Sequence, residues 1–329
     1  MNALAQLLSV RDLTVMIARR EVVDHVSFDL APGETLALVG ESGCGKSLTA
    51  LALLRLLPGA AHPGGGAVLF EGADLLQMDE GFMRRLRGNR ASIIFQDPQN
   101  SLDPLMTIGN QLIEGIRAHR NLPRAAARAE ALAMLNAVGI SEPEQRLAQY
   151  PFELSGGMCQ RVMIAIALAA RPAVLIADEP TTALDVTIQA QILDLMKGLL
   201  RDSGTSILLI THDMGVVAEM ADRVAVMYAG RIVETGSADT IFGAPRHPYT
   251  VLLLKSVARL DDVPKTPMAV IQGSVPAHEE WPPGCRFAPR CPLAGAQCLA
   301  EIPPDVTIDR DRTVACWRHG DVTAGRLPT

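Results

Sequence analysis

Short apolar runs and longer amphipathic segments follow one another along most of the chain. Residues 7–30 contain two stretches with rough alternation of apolar and polar positions, which predict paired strands with a turn at Arg19-Arg20. Fully apolar runs at 35–39, 173–177 and 206–210 predict short buried strands. The periodicity therefore indicates several strands, of which at least three are buried on both faces.

Helix-like segments separate these runs. Residues 97–150 are helical in pattern, Ser155 resembles the cap of a helix that runs to residue 170, and residues 186–201 are amphipathic. Residues 223–236 predict a hairpin that turns at Ala229-Gly230. Strands that alternate with helices predict an α/β fold with a largely parallel sheet, into which a helical subdomain at about residues 97–170 is inserted.

Composition narrows the class of protein. The 329 residues are 48% hydrophobic and 20% charged, which predicts a globular chain with a sizeable core. The net charge of -6 argues against nucleic acid as a partner, because phosphate-backbone binding uses clustered basic residues. No apolar run approaches the ~18 residues that span a bilayer, and we see no secretion signal at the amino terminus. These features predict a protein of the cytosol.

A glycine-rich motif follows the strand at 35–39 and precedes a helix. Residues 40–47, GESGCGKS, match G-x-x-x-x-G-K-[ST] in the context that this motif requires. Its backbone N–H groups and the helix amino terminus favour phosphate, Lys46 would reach the β- and γ-phosphates, and Ser47 would bind Mg²⁺. The candidate nucleotide-binding residues here are Gly40, Ser42, Gly43, Cys44, Gly45, Lys46 and Ser47.

Two acidic residues end the apolar strand at 173–177. Asp178 would be costly at this position without a cation, and Mg²⁺ is the natural partner. Glu179 follows directly and could accept a proton from an attacking water.

The sequence LSGGM at 154–158 makes the chain resemble the ATP-binding subunits of ABC transporters. The other motifs of that family occur in the expected order over about residues 7–245. Gln96 in FQDP resembles the Q-loop glutamine, Asp185 in TALD the D-loop aspartate, and His212 in THD the switch histidine. The resemblance implies a P-loop NTPase of the ABC type, with a mostly parallel core sheet, an antiparallel β subdomain and the helical subdomain.

The resemblance also implies roles for the remaining residues. His212 would contact the γ-phosphate, and Gln96 would sense Mg²⁺ and the attacking water. Catalysis would then rest on Glu179, His212 and Gln96, with Mg²⁺ held by Ser47, Gln96 and Asp178. Ser155, Gly156 and Gly157 would offer backbone amides to the γ-phosphate held by an opposite subunit, so that two chains form two composite sites.

One expected feature is missing, and one is unusual. The family stacks adenine on an aromatic residue upstream of the phosphate loop, but Ile17 occupies about that position. Cys44 lies inside the phosphate loop, and we expect that its thiol can be alkylated and that ATP protects it.

A change in composition marks the carboxyl-terminal part of the chain. Residues 261–329 hold 10 of the 22 prolines and both tryptophans, which places a boundary near residue 245 and predicts domains at 1–245 and 246–329. The sequences HPYT at 247–250 and FQDPQNSLDP at 95–104 resemble the peptide-importer branch of the family, whose substrates are oligopeptides, dipeptides and sometimes nickel.

Four cysteines crowd this small Cys/Pro-rich C-terminal extension, namely Cys285, Cys291, Cys298 and Cys316. Their spacing lacks the tight C-x2-C pairs of common zinc sites. Four thiolates suit a [4Fe–4S] cluster, and the family resemblance favours it. Zinc and the absence of any metal remain alternatives, and a bound metal would serve mainly to staple the extension.

Together these features predict a peripheral ATPase on the cytoplasmic face of the cell inner membrane that energises import of short peptides, with ATP and Mg²⁺ as cofactors. The expected partners are a second, non-identical ATPase subunit, two transmembrane permease subunits and an extracytoplasmic peptide-binding protein. Import of nickel or another small solute is one alternative. A soluble ABC ATPase acting on ribosomes or DNA is another.

Overall fold

The computed structural model describes residues 6–182, 185–256, 271–322 and 327. The strands in these ranges are β1 (Leu8–Ile17), β2 (Arg20–Leu30), β3 (Thr35–Val39), β4 (Ala61–Phe70), β5 (Ala73–Asp74), β6 (Ala91–Ile94), β7 (Val174–Asp178), β8 (Ser206–Thr211), β9 (Arg223–Tyr228), β10 (Arg231–Ser237), β11 (Asp305–Asp309) and β12 (Arg312–Ala315).

The helices are α1 (Lys46–Leu53), α2 (Glu80–Leu86), α3 (Pro98–Ser101), α4 (Ile108–His119), α5 (Arg124–Ala137), α6 (Pro143–Arg146), α7 (Gly156–Leu168), α8 (Val186–Ser203), α9 (Met214–Met220), α10 (Ala238–Gly243), α11 (Pro248–Lys255) and α12 (Ala296–Ala300). Short 3₁₀ helices occur at Pro151–Glu153, His278–Glu280, Ala288–Arg290 and His319–Asp321.

The chain divides into two compact units. The first consists of Met1–Leu7, Ala31–Glu34 and Gln77–Leu209, and the second of Leu8–Leu30, Thr35–Leu76 and Ile210–Thr329. The first unit contains the parallel pair β6–β7 and the helices α2 to α8. The helices α3 to α7 lie within residues 98–168, where the sequence predicts an inserted helical subdomain.

The second unit contains two sets of paired strands. One is an antiparallel sheet in the order β2-β1-β4-β5, and in the other the strands follow one another as β11-β12-β10-β9-β3. Strands β3 and β9 are parallel, whereas β9, β10, β12 and β11 pair antiparallel in turn. The predicted turns are confirmed, since Arg19 and Gly230 both have positive φ between antiparallel strands.

Within the second unit, the described residues beyond 245 contact strand β9 through aromatic side chains. Tyr228 of β9, Tyr249 of α11 and Phe287 are all buried, and their ring centroids lie 4.7 to 5.3 Å apart. Aromatic rings at such separations stabilise a core beyond the area that they bury. The extension therefore shares a hydrophobic core with β9, and the predicted domain boundary near residue 245 stays a prediction.

A buried ion pair adds to this attachment. Glu234 of β10 is fully buried and accepts hydrogen bonds from the backbone N–H groups of Arg246 (2.7 Å) and His247 (2.9 Å). Arg312 of β12, 6% exposed, donates from Nη2 to the same carboxylate at 2.7 Å. Since a buried charge without its partner is costly, these groups hold the extension only as a complete set.

We expect Glu234→Leu to lower the free energy of unfolding of this unit by about 3–5 kcal/mol, because it leaves the Arg312 guanidinium and two backbone N–H groups without their acceptor. Denaturant unfolding followed by tryptophan fluorescence measures this loss, since Trp281 and Trp317 both lie in the extension. Arg318→Gln is the matched control: its pair with Asp321 is half-exposed, and its loss should leave the midpoint unchanged. A Glu234→Leu midpoint equal to that of the control would contradict the assignment.

Candidate functional site

The phosphate loop at residues 40–47 lies in the second unit, between β3 and α1. Gly40 has φ 153°, and a Cβ atom at this position would lie 2.1 Å from the backbone oxygen of Met227. Gly45 has φ 106°, and a Cβ there would meet the Met227 side chain at 2.9 Å. Gly40 is therefore required by its close approach to the backbone of β9, and Gly45 by its positive φ.

The ammonium group of Lys46 lies inside this loop. Lys46 is 5% exposed, and its Nζ donates to the backbone oxygens of Gly40 (2.7 Å) and Glu41 (3.0 Å). The loop thus holds a buried positive charge on neutral acceptors at the amino terminus of a helix. That combination fits a bound phosphate group, which supplies the negative charge that the carbonyl oxygens do not.

The other loop residues differ in exposure. Ser42 and Gly43 are exposed, and Ser47 is half-buried in the first turn of α1. Cys44 is 1% exposed, and its Sγ lies 3.7 Å from the Nζ of Lys46. Burial raises the pKa of the Cys44 thiol, although the neighbouring Lys46 opposes that effect. The expectation that Cys44 can be alkylated and that ATP protects it stays a prediction, and both the burial of the thiol and its raised pKa argue for slow labelling.

The acidic pair lies in the first unit. Asp178, 5% exposed, is the last residue of β7, and Glu179 follows with φ 49°. One oxygen of the Glu179 carboxylate, Oε2, accepts hydrogen bonds from Gln96 Nε2 (3.0 Å) and from Thr182 Oγ1 (2.8 Å). The structure thus brings Gln96 and Glu179 together. It adds Thr182, the first residue of the predicted D-loop, for which the sequence suggested no contact with Glu179.

The signature and D-loop residues occupy helix starts in the first unit. Ser155 caps α7, and its Oγ accepts from the N–H of Met158 at 3.4 Å, so that Gly156 and Gly157 form the first turn. Asp185 caps α8 and accepts from the N–H of Ile188 at 2.9 Å. Ala183 and Leu184 of the predicted D-loop lie outside the described residues. These caps leave the first-turn amides of α7 pointing along the helix axis, where a dipole favours an anion.

Two further predicted residues lie in the second unit. His212 follows β8 directly and is exposed. Ile17 ends β1 and is half-buried, at about the position where the family has an adenine-stacking aromatic residue.

The four cysteines of the extension line one small pocket, together with His247 and Phe287. The pocket has a volume of about 10 Å³, barely that of one water molecule, and all four thiols are free. Burial raises the pKa of Cys285, and it raises the pKa of Cys291 to about 11 and that of Cys316 to about 12. Burial thus disfavours the thiolate form of these three cysteines.

The prediction of an iron–sulfur cluster is wrong. Within the described part of the chain, no group of three or more His, Cys, Asp or Glu side chains is arranged to hold a metal ion. The same finding gives zinc no site among the described residues. The cysteines act as apolar filling of the extension's core, a common role of buried thiols.

In the ranges that the structure describes, no helix is long and apolar enough to cross a membrane.

The parallel strands, the glycine-rich loop with its buried lysine and the strand-end acidic pair define an ATPase of the P-loop class. Comparison with known proteins gives the family. Residues 23–182 match the family model "ABC transporter", and residues 233–298 match "Oligopeptide/dipeptide transporter, C-terminal region". The chain belongs to the ATP-binding proteins of ABC transporters and is an ATPase of that type.

Relatives of known name match nearly the whole chain. A probable peptide ABC transporter ATP-binding protein, y4tR of Sinorhizobium fredii, is 50% identical over 96% of both chains. The oligopeptide transport ATP-binding protein AppD of Bacillus subtilis is 49% identical over 96% of this chain and 98% of its own. The dipeptide transport ATP-binding protein DppD of Bacillus subtilis is 50% identical over 90% and 89%.

Solved structures match the ATPase part. A dimeric ATP-binding cassette, MJ0796, in a post-hydrolysis state with ADP and phosphate, has a TM-score of 0.63 at 25% identity and covers 70% of this chain and 98% of its own. The structure of cbiO1 from Clostridium perfringens, part of the ABC transporter complex cbiONQ, has a TM-score of 0.62 at 28% identity and covers 72% of this chain and 91% of its own.

We expect iodoacetamide to label Cys44 of the folded protein at least about tenfold more slowly than the same thiol of the urea-unfolded chain, because burial covers the sulfur and raises its pKa. The rate should stay low between pH 7 and pH 8, where a raised pKa keeps the thiol protonated. Peptide mass spectrometry measures labelling at each cysteine. Equal rates in the folded and unfolded chain would contradict the burial of Cys44.

Proposed function

We propose that the chain is the ATP-hydrolysing subunit of an ABC importer for short peptides. The observation that carries the ATP-binding part is the buried ammonium of Lys46, held inside the glycine-rich loop on neutral carbonyl oxygens. The peptide part is supported by three relatives with peptide, oligopeptide and dipeptide transport in their names, at about half identity over nearly the whole chain. These names favour peptides over nickel, and transport over action on ribosomes or DNA.

The residues present fit ATP and Mg²⁺. Lys46 and the first-turn amides of α1 would hold the phosphates, and the adjoining Gly40, Ser42, Gly43, Cys44 and Gly45 shape the loop. Mg²⁺ would be held by Ser47, Gln96 and Asp178, and when bound it neutralises phosphate charge. His212 would contact the γ-phosphate. Ser155, Gly156, Gly157 and Asp185 would face the nucleotide of a second ATPase subunit.

Glu179 is the proposed general base. Its carboxylate is held by Gln96 and Thr182, which both donate to Oε2. Two donors on one oxygen fix the orientation of the carboxylate, so that it can accept a proton from a water molecule placed in line with the bond that breaks. Thr182 is therefore proposed as a positioning residue of the same group.

Glu179→Gln should bind Mg-ATP with unchanged affinity and lose at least about 100-fold in turnover, because the amide keeps the shape of the carboxylate and cannot accept the proton. Equilibrium nucleotide binding and phosphate release measure the two quantities separately. Glu144→Gln, an exposed acid on α6, is the matched control and should leave both unchanged. Near-normal hydrolysis by Glu179→Gln would refute its assignment as the base.

The proposed partners are a second, non-identical ATPase subunit, two transmembrane permease subunits and an extracytoplasmic peptide-binding protein. The chain would lie peripherally on the cytoplasmic face of the cell inner membrane. An exposed aromatic pair supports a membrane-protein contact in the helical subdomain: Tyr150 and Phe152 stack at 5.5 Å between ring centroids, and Phe152 is 74% exposed. Exposed aromatic residues are enriched at protein interfaces.

Phe152→Ser should reduce co-purification of the chain with membrane subunits from detergent-solubilised membranes, because it removes exposed apolar area from this contact. Nucleotide binding should stay unchanged. Leu299→Ser, which removes an exposed apolar side chain from the extension, is the matched control and should keep full co-purification. Equal recovery of membrane subunits with both variants would exclude Phe152 from the interface.

A further inference from the structure

The phosphate loop carries a negatively charged side chain, and the extension covers it. Glu41 is the second residue of the loop, next to Gly40. Its carboxylate forms a two-pronged ion pair with Arg290, with Nη1 to Oε2 at 2.8 Å and Nη2 to Oε1 at 2.9 Å. Arg290 is 7% exposed and Glu41 26% exposed, so solvent screens this pair only in part.

The guanidinium of Arg290 is also held by hydrogen bonds to other residues of the second unit. Its nitrogens also donate to the backbone oxygens of Gln272 (2.8 Å), Gly273 (3.2 Å) and Ile271 (3.3 Å), and to Tyr228 Oη (3.2 Å). Residues 271–273 of the extension therefore hold the arginine so that the edge of its guanidinium, with Nη1 and Nη2, is directed at Glu41. Arginine with this many fixed donors loses little further entropy when it binds a carboxylate.

The backbone of Glu41 also contacts Lys46, the lysine of the phosphate loop. Its carbonyl oxygen accepts from Lys46 Nζ at 3.0 Å, and its N–H donates to Tyr249 Oη at 2.8 Å. Thus one residue of the loop contacts Lys46 by its main chain and the extension by both its side chain and its N–H. Glu41 therefore connects Arg290 of the extension to Lys46 of the phosphate loop.

The charge of Glu41 is unfavourable for a loop that binds phosphate. An unpaired carboxylate on Glu41, whose own carbonyl oxygen helps to hold Lys46, would repel the negative charges of ATP and weaken its binding. We propose that Arg290 is a positioning residue of the nucleotide site, which neutralises and holds the Glu41 carboxylate so that the loop accepts phosphate. This inference rests on the proposed ATP-binding role of the loop.

The consequence is that the loop needs the extension. Without a folded extension, Glu41 would keep an unpaired charge at the phosphate site, and ATP would bind weakly. The extension thereby acquires a role in nucleotide binding through Arg290.

The test is a set of variants of the full chain, with equilibrium affinities measured for Mg-ATP, Mg-ADP and adenosine. Arg290→Gln should raise the Kd for ATP about tenfold, which corresponds to about 1.4 kcal/mol. The increase should be smaller for ADP and absent for adenosine, because only the phosphates meet the freed carboxylate. The doubly substituted protein Glu41→Gln with Arg290→Gln should regain most of the ATP affinity.

Two controls distinguish a specific effect of Arg290 on ATP binding from a general effect on the stability of the extension. Arg312→Gln breaks the other buried arginine–carboxylate pair of the extension and should leave the Kd for ATP unchanged at a temperature well below unfolding. Glu41→Gln alone should fold, since Glu41 is partly exposed, and should bind ATP at least as tightly as the unsubstituted chain. This variant keeps the inference testable where Arg290→Gln gives no folded protein.

Either of two results would overturn the inference: weaker ATP binding by Glu41→Gln, or a double variant that binds ATP no better than Arg290→Gln. Lys46→Ala distinguishes this failure from failure of the proposed function. Loss of ATP binding by Lys46→Ala together with unchanged binding by Arg290→Gln would overturn the role of Arg290 alone. Unchanged binding by Lys46→Ala would overturn the phosphate site and this inference with it.

Discussion

The close approach of the phosphate loop to strand β9 is the constraint on which the candidate site depends. Strands β3 and β9 run in parallel, with Val39 opposite Val226, so that the next residues on each strand, Gly40 and Met227, meet as β3 ends. The Met227 carbonyl lies where a Cβ of residue 40 would stand. The loop must therefore turn at once, and this turn gathers the carbonyl oxygens around the ammonium of Lys46.

The extension stabilises the same region from outside. Tyr228, the last residue of β9, follows Met227. Its ring packs on Tyr249 and Phe287, which both belong to the carboxyl-terminal part of the chain. Arg290 then reaches Glu41 in the loop itself. By composition this segment looks like an appendage. It nevertheless shares a hydrophobic core and buried ion pairs with the second unit, and it contacts Glu41 of the loop through both Arg290 and Tyr249.

The cysteines illustrate how spacing alone can mislead. Four cysteines within 32 residues suggest a metal centre, and the fold does bring them to one pocket. Whether four thiols form a metal site depends on how packing around Phe287 and His247 arranges the sulfur atoms, and spacing in the sequence does not give that arrangement. The described residues form a small thiol-lined pocket there, and the cluster prediction is wrong.

The sequence by itself determined the local features, which depend on interactions between residues a few positions apart in the chain. The strand–loop–helix around GESGCGKS, the buried strand that ends at Asp178, the cap at Ser155 and the hairpin turn at Gly230 all follow from periodicity and turn residues within a few positions. The family motifs identified the candidate site residues for the same reason, since each motif is a short contiguous run.

Only the tertiary structure decided the features that need distant partners. Strand β4, with Pro63 and three consecutive glycines, has no strand-like composition and exists because β1 pairs with it. The contacts of Glu179 with Gln96, 83 residues away, and of Arg290 with Glu41, 249 residues away, join charges and hydrogen-bonding groups that no local pattern relates. Such pairs are fixed by how the strands and loops are placed in the fold, because electrostatic and hydrogen-bond energies depend on distances that sequence separation does not give.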